Sequence, residues 1–173
     1  VGERAWLLHD KPDAGMWELR TRANVHTSSS LMCWAACDRL AKIAARLNAE
    51  ASVARWRERA DAIRACILER AWRSKRQAFA SVFGGHELDA SVLLMAEVGF
   101  IDPRDPRFVQ TVQAMEQTLC DGPYMRRYEG ADDFGLGVVA DGLAGGGGLV
   151  GEAPDVLGLP DLQEHAQADD GDD

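Results

Sequence analysis

Trp17 and Glu18 are neighbours in the chain and form its most chemically loaded pair. A carboxyl held beside an aromatic wall has its protonated form favoured, because an apolar setting penalises the charge. Such a group can give a proton to a leaving oxygen, which is what cleavage of a glycosidic bond asks of its acid. The irregular segment around the pair could aim Glu18 into a cleft while Trp17 packs beside it. The reaction also takes a second carboxylate, to activate water or to attack. Glu87, Asp89, Glu129, Asp132 and Asp133 are the candidates. Asp89 reads better as a helix cap, and Asp132 and Asp133 as loop formers. An inverting pair stands about 6.5–9.5 Å apart, a distance that spacing along a chain does not fix. As a bare dipeptide Trp-Glu is common and carries little weight.

Other reactive side chains have plainer readings. His26, just before a helix, suits a hydrogen bond in the cap region better than a base. Trp34 and Trp72 suit a core, and Arg20 and Arg22 a solvated face. His9, His86 and His165 show no ligand spacing. Cys33 and Cys37 lie one turn apart on a helix, but no CxxC or Cys/His pattern accompanies the four cysteines. Reduced thiols in a cytoplasmic protein are expected. The run Gly145–Gly148 has no Lys-Ser/Thr after it and is not a phosphate loop. No metal and no cofactor is expected.

The elements that would position these groups are helices. Residues 1–26 read as irregular, with Pro12, Asp13 and Gly15 as turn formers. Thr27 and Ser28 are good N-caps for a helix from Ser29 to Leu47. Its apolar face is Cys33, Ala36, Cys37, Leu40, Ile43, Ala44 and Leu47, with Asp38, Arg39, Lys42 and Arg46 mostly away from the core. A second helix, Ser52 to Trp72, carries Trp56, Ala60, Ile63, Ile67 and Ala71 on one side and charges on the other. Residues 73–88 break the pattern into a short extended segment or loop. A third helix, Asp89 to Glu97, is apolar nearly all round and should be an inner one, ended by Gly99. Pro106 opens a fourth that runs to Cys120. The body is therefore all-α, built of helical hairpins that stack into a solenoid or close into a toroid.

The remaining sequence is of another kind. From Gly137 to Asp173 there are nine acidic residues, nine glycines, no basic residue and no aromatic. That segment accounts for the whole formal charge of −9 among 173 residues and leaves residues 1–136 neutral. It has too little apolar mass to offset its ordering entropy, so a disordered tail is expected. A neutral body lacks the basic footprint of a nucleic-acid binder. No apolar run reaches the ~18–20 residues that span a bilayer.

The wider context of Trp17-Glu18 is more specific. Residues 13–44, DAGMWELRTRANVHTSSSLMCWAACDRLAKIA, resemble bacterial family 15 glycoside hydrolases, the glucoamylase and trehalase type. Residues 88–119, LDASVLLMAEVGFIDPRDPRFVQTVQAMEQTL, match the family's next inner helix and loop. Arg126-Arg127-Tyr128 looks like its Arg-Tyr segment, with Arg127 the better match. The resemblance covers residues 1–136 and implies a partial (α/α)6 toroid with its site at one mouth. It implies Glu18 as catalytic acid, and Trp17 and Arg127 against a small carbohydrate substrate. After Asp132-Asp-Phe-Gly135 the family continues into further hairpins that supply the general base, whereas here the acidic tail begins. The chain also opens at Val1. An internal piece of an inverting α-glucoside hydrolase is expected, inactive alone because its base is missing. The alternatives are a non-enzymatic helical-repeat interaction module, to which a buried Glu18 is of no use, and a poorly folding remnant that exposes Val92, Leu93 and Leu94.

Overall fold

The computed structural model describes residues 1–18, 23–132 and 135–136. The expected tail, 137–173, and the side chains of Arg20, Arg22 and Asp133 lie outside them. The main elements are helices α1 (Gly2–Leu8), α2 (Thr27–Arg46), α3 (Glu50–Ala71), α4 (Leu94–Glu97) and α5 (Pro106–Leu119). Three hairpins of two-residue strands accompany them: β1 (Trp72–Arg73) with β2 (Ala78–Phe79) after α3, and β3 (Cys120–Asp121) with β4 (Tyr124–Met125) and β5 (Ala131–Asp132) with β6 (Gly135–Leu136) after α5.

Helix α3 follows its sequence pattern. Trp56, Ala60, Ile63, Ile67 and Ala71 are its buried residues, at the steps of one helix face. They meet Leu31, Trp34, Cys37 and Ala41 of α2 in one core with Phe79, Val92, Met95, Phe108 and Met115. Each fully buried Leu, Ile, Phe or Met among these contributes about 1.5–3 kcal/mol by removal from water. Trp34 is a core residue, edge-on to Phe100 at 5.0 Å, and Trp72 is half-buried, edge-on to Phe79 at 5.1 Å.

Helix α2 departs from its pattern. Ile43 and Leu47 are 52% and 72% exposed, so the expected apolar face is rotated. The buried stripe runs Leu31, Trp34, Cys37, Asp38, Ala41, Ala44. Asp38, expected away from the core, is 3% exposed. It tolerates burial because Arg39 and Lys42 each reach its Oδ2 at 2.7 Å and Arg57 of α3 reaches its Oδ1 at 3.1 Å. A carboxylate with three cationic donors keeps the hydrogen bonds that water would have supplied.

Residues 1–26 are not all irregular, for α1 occupies Gly2–Leu8. Seven residues are too few to show a period, and these roughly two turns are held by packing rather than propensity. Gly2 is where it docks: a Cβ there would lie 2.3 Å from Leu40 and 2.5 Å from Trp56. The cap of α2 also differs. His26 is the N-cap, Thr27 is already helical, and the Thr27 hydroxyl donates instead to the Ala80 carbonyl at 2.7 Å. The third helix begins as a 3-10 turn, Ala90–Leu93, before the single turn of α4. Val92 and Met95 are fully buried, while Leu93 and Leu94 are half-buried. Gly99, at φ +72°, ends this segment, and the N–H groups of Phe100 and Ile101 both donate back to the Met95 carbonyl. Asp105 caps α5 through the Arg107 N–H at 2.9 Å, with Pro106 in the first turn.

Candidate functional site

The loop between α1 and α2 is built by short-range bonds. Asp13 and Asn24 pair their backbones, with N···O distances of 2.9 and 3.2 Å. The Asp13 carboxylate accepts the Gly15 N–H at 2.6 Å, and the Glu18 N–H donates to the Gly15 carbonyl at 3.3 Å. This turn needs two left-handed residues, Gly15 at φ +70° and Glu18 at φ +53°. Gly15 is free to adopt that conformation, whereas Glu18 costs roughly 1 kcal/mol there. Strain of this kind collects where a side chain is aimed for a purpose.

Under the turn lies His26, which bridges Val82 on its other side. Its backbone carbonyl accepts the Ser30 N–H at 3.1 Å, but its side chain makes no cap hydrogen bond. The imidazole is buried, and its Nε2 has no hydrogen-bond partner among the described residues. A cavity of ≈ 310 Å³ beside the loop is lined by Gly15, Met16, Ser28, Ser29 and Met32. Trp17, Glu18 and Arg127 are not part of that lining, so the candidate chemistry sits elsewhere.

Trp17 and Arg127, far apart in the chain, come together. The Arg127 guanidinium carbon lies over the Trp17 ring, 5.4 Å from its centroid. The Tyr128 ring is 6.1 Å from the same indole, tilted by 50°. The backbone that carries this pair is tied to the start of the 3-10 turn: Asp89 bridges Tyr128, and the Ala90 N–H donates to the Arg127 carbonyl at 2.8 Å. The Trp17 indole N–H donates to Asp89 Oδ2 at 2.9 Å, while Asp89 Oδ1 accepts the Ser91 N–H at 2.8 Å. Asp89 is thus the expected cap and also the partner of Trp17. Nothing in the sequence signals the second contact, which spans 72 positions.

Arg126, the neighbour of Arg127, has another task. Its guanidinium donates to the Thr118 carbonyl at 2.6 Å and its N–H to the Leu119 carbonyl at 2.9 Å, which closes the end of α5.

Glu18 follows Trp17 but is exposed rather than buried, and its side chain has no hydrogen bond or ion pair among the described residues. Burial of Glu18 therefore does not separate an enzyme from an interaction module in this chain. The second carboxylates fare as follows. Glu129 is ion-paired to Arg76 at 2.9 Å and accepts the Leu88 N–H at 3.1 Å. Asp89 has both oxygens engaged. Glu87 is exposed and lies against Gly130, where a Cβ would come within 2.7 Å of its Oε2. Asp132 is in β5. No group of three or more His, Cys, Asp or Glu among the described residues is placed to hold a metal ion. No helix among them is long and apolar enough to cross a membrane.

Comparison with known proteins bears on this arrangement. A model of the family described as glycosyl hydrolases family 15 matches residues 3–136. A trehalase of Mycobacterium tuberculosis is 42% identical over 118 residues, which is 68% of this chain and 17% of that protein. A trehalase of Mycolicibacterium smegmatis is 36% identical over 135 residues, 78% of this chain and 19% of that protein. One from Thermoplasma volcanium is 32% identical over 126 residues, covering 72% and 20%. The chain thus spans 17% to 20% of the length of these relatives. Among solved structures, a wild-type glycosidase and a variant of it in complex with glucose each align with a TM-score of 0.62 at 18% identity, over 71% of this chain and 32% of theirs.

Proposed function

The chain belongs to family 15 of the glycosyl hydrolases, and on that premise we propose that residues 1–136 are part of a catalytic domain that hydrolyses an α-glucoside with inversion. The substrate is of the trehalose or malto-oligosaccharide type. The relatives named trehalases and the glycosidase variant in complex with glucose support that class. One observation carries the reading: Arg127 lies over Trp17, the residue next to Glu18. A cation and an indole beside a carboxyl suit a sugar ring, which offers hydroxyls to the one and an apolar face to the other.

In this reading Glu18 is the general acid, giving its proton to the leaving oxygen, a step worth about 10²–10⁴-fold in rate. Arg127 and Trp17 hold the glucose. The base is supplied from outside residues 1–136, since Asp89 and Glu129 are engaged elsewhere, and the chain alone is inactive. The helical hairpins form one part of an (α/α)6 ring whose closure needs hairpins beyond residues 1–136. Residues 137–173 are a separate segment of different composition. A cytoplasmic setting belongs to the same proposal, because the unpaired thiols of Cys33 and Cys37 persist in a reducing compartment.

The test is glucose release from trehalose and maltose, by the chain alone and by the chain joined to the missing parts of a family 15 domain, each with Glu18→Gln. No release from the chain, release from the joined protein and its loss in the variant are expected. Release from the chain alone that vanishes in the variant would place a base within these residues. Full activity of the joined Glu18→Gln protein would remove Glu18 as the acid.

A further inference from the structure

The partners of the Trp17 indole suggest more than a stacking platform. Its N–H is held by the Asp89 carboxylate at 2.9 Å and its ring carries the Arg127 guanidinium at 5.4 Å. We propose that Asp89 is a positioning residue of this site, setting through the Trp17 indole where Arg127 stands, so that Trp17 is the mount of Arg127. The proposal rests on the sugar-site reading above.

Three features support it. Asp89 is 6% exposed, and a hydrogen bond to a carboxylate away from water is stronger and more directional than one at the surface. That bond pushes electron density toward the ring, whose face then attracts a cation more strongly. The same short segment also fixes the far partner, since Asp89 bridges Tyr128 and the Ala90 N–H holds the Arg127 carbonyl at 2.8 Å. The Asp89 carboxylate therefore holds the indole, while the backbone on either side of it, at Leu88 and Ala90, holds the segment that presents the guanidinium. Two acceptor oxygens are needed for this, one for the indole and one for the Ser91 N–H. Asn offers one oxygen and can satisfy only one of them.

Capping and positioning can be separated. Ser caps a helix start well but is too short to reach the indole, so Asp89→Ser keeps the cap and drops Trp17. The measurement is made on the isotope-labelled chain by nuclear magnetic resonance. The Trp17 indole N–H is assigned with Trp17→Phe, and the Arg127 Nε–H with Arg127→Lys. In Asp89→Ser the indole N–H should exchange with water about tenfold faster, as loss of a charge-assisted bond implies, and the Arg127 resonance should move to that of a free guanidinium. Trp17→Phe, which leaves Asp89 and its cap intact, should shift the Arg127 resonance by itself. Resonances unmoved in Asp89→Ser, or an Arg127 resonance unmoved in Trp17→Phe, would overturn the proposal. Glucose titration separates the two readings. Glucose-induced shifts at Arg127 that disappear in Asp89→Ser support both. A wild-type chain that ignores glucose while the substitutions still move Arg127 sinks the sugar-site reading and leaves the positioning by Asp89 supported.

Discussion

Gly15 lies against the imidazole of His26, so closely that a Cβ on it would stand 2.7 Å from the ring carbon Cε1. The turn that carries Trp17 and Glu18 is seated on a buried ring, and glycine is required there for two reasons, its φ of +70° and the missing space. Gly15→Ala should cost about 2–4 kcal/mol, from strain and overpacking together. Gly99 is the control. It has φ +72° but nothing within 4 Å of a built Cβ, so Gly99→Ala should cost only about 1 kcal/mol, from strain alone. Urea unfolding of both variants checks this, and equal losses would show that His26 does not constrain the turn.

Glu18 occupies a left-handed position at φ +53° without a partner that would explain it. Gly adopts that conformation without penalty. Glu18→Gly should therefore raise stability by about 0.5–1 kcal/mol while it removes the carboxyl, the trade that the proposed acid role implies. A lower unfolding midpoint in Glu18→Gly would mean that the side chain stabilises the turn.

Asp38 gives the chain a pH dependence. Burial pushes its carboxyl up, but hydrogen bonds from Lys42 and Arg39, the charge of Lys42 and the hydrogen bond from Arg57 outweigh it, and the net value lies below the ordinary one. The folded chain then holds this proton less tightly than the unfolded chain, so unfolding in acid takes a proton up. The contribution is complete above the ordinary range near about 4 and is lost as pH falls from there toward the folded value. Its partners are half exposed, so Asp38→Asn should cost about 1–3 kcal/mol at neutral pH, less than for a fully buried cluster. Melting curves between pH 7 and acid should fall less steeply in Asp38→Asn, and parallel curves would contradict the assignment.

What was legible in the sequence depended on how far each interaction reaches. The buried face of α3 could be read residue by residue, because it packs along its whole length and its period of 3.6 is unbroken. Gly99 and Pro106 could be read because ending and starting a helix are local acts. The face of α2 was misread at Ile43 and Leu47, since apolar residues show which sides can be buried but not which side is. Asp38 was misread because its rescue comes partly from Arg57 on another helix. At the site, Trp17-Glu18 and Arg127 were singled out through a family pattern, and the structure brings the Arg127 guanidinium over the Trp17 indole. The hold of Asp89 on Trp17 was not, for it joins two loops and has no periodicity to betray it.

Arg126 and Arg127 are adjacent and of one type, yet the structure divides their work. Arg126 donates to the Thr118 carbonyl at 2.6 Å and so satisfies the end of α5, where carbonyls lack partners within the helix. Arg126→Ala should lower stability by about 1–2 kcal/mol and leave the Trp17 signal untouched. Arg127 is exposed and touches the indole face, a contact worth about 0.5–1 kcal/mol at most in such a setting. Arg127→Ala should therefore change unfolding little and alter the fluorescence or indole resonance of Trp17. Thermal unfolding and the Trp17 signal, read on both variants, give opposite patterns if the division holds. A loss of stability in Arg127→Ala as large as in Arg126→Ala would assign Arg127 to the scaffold and remove it from the proposed sugar site.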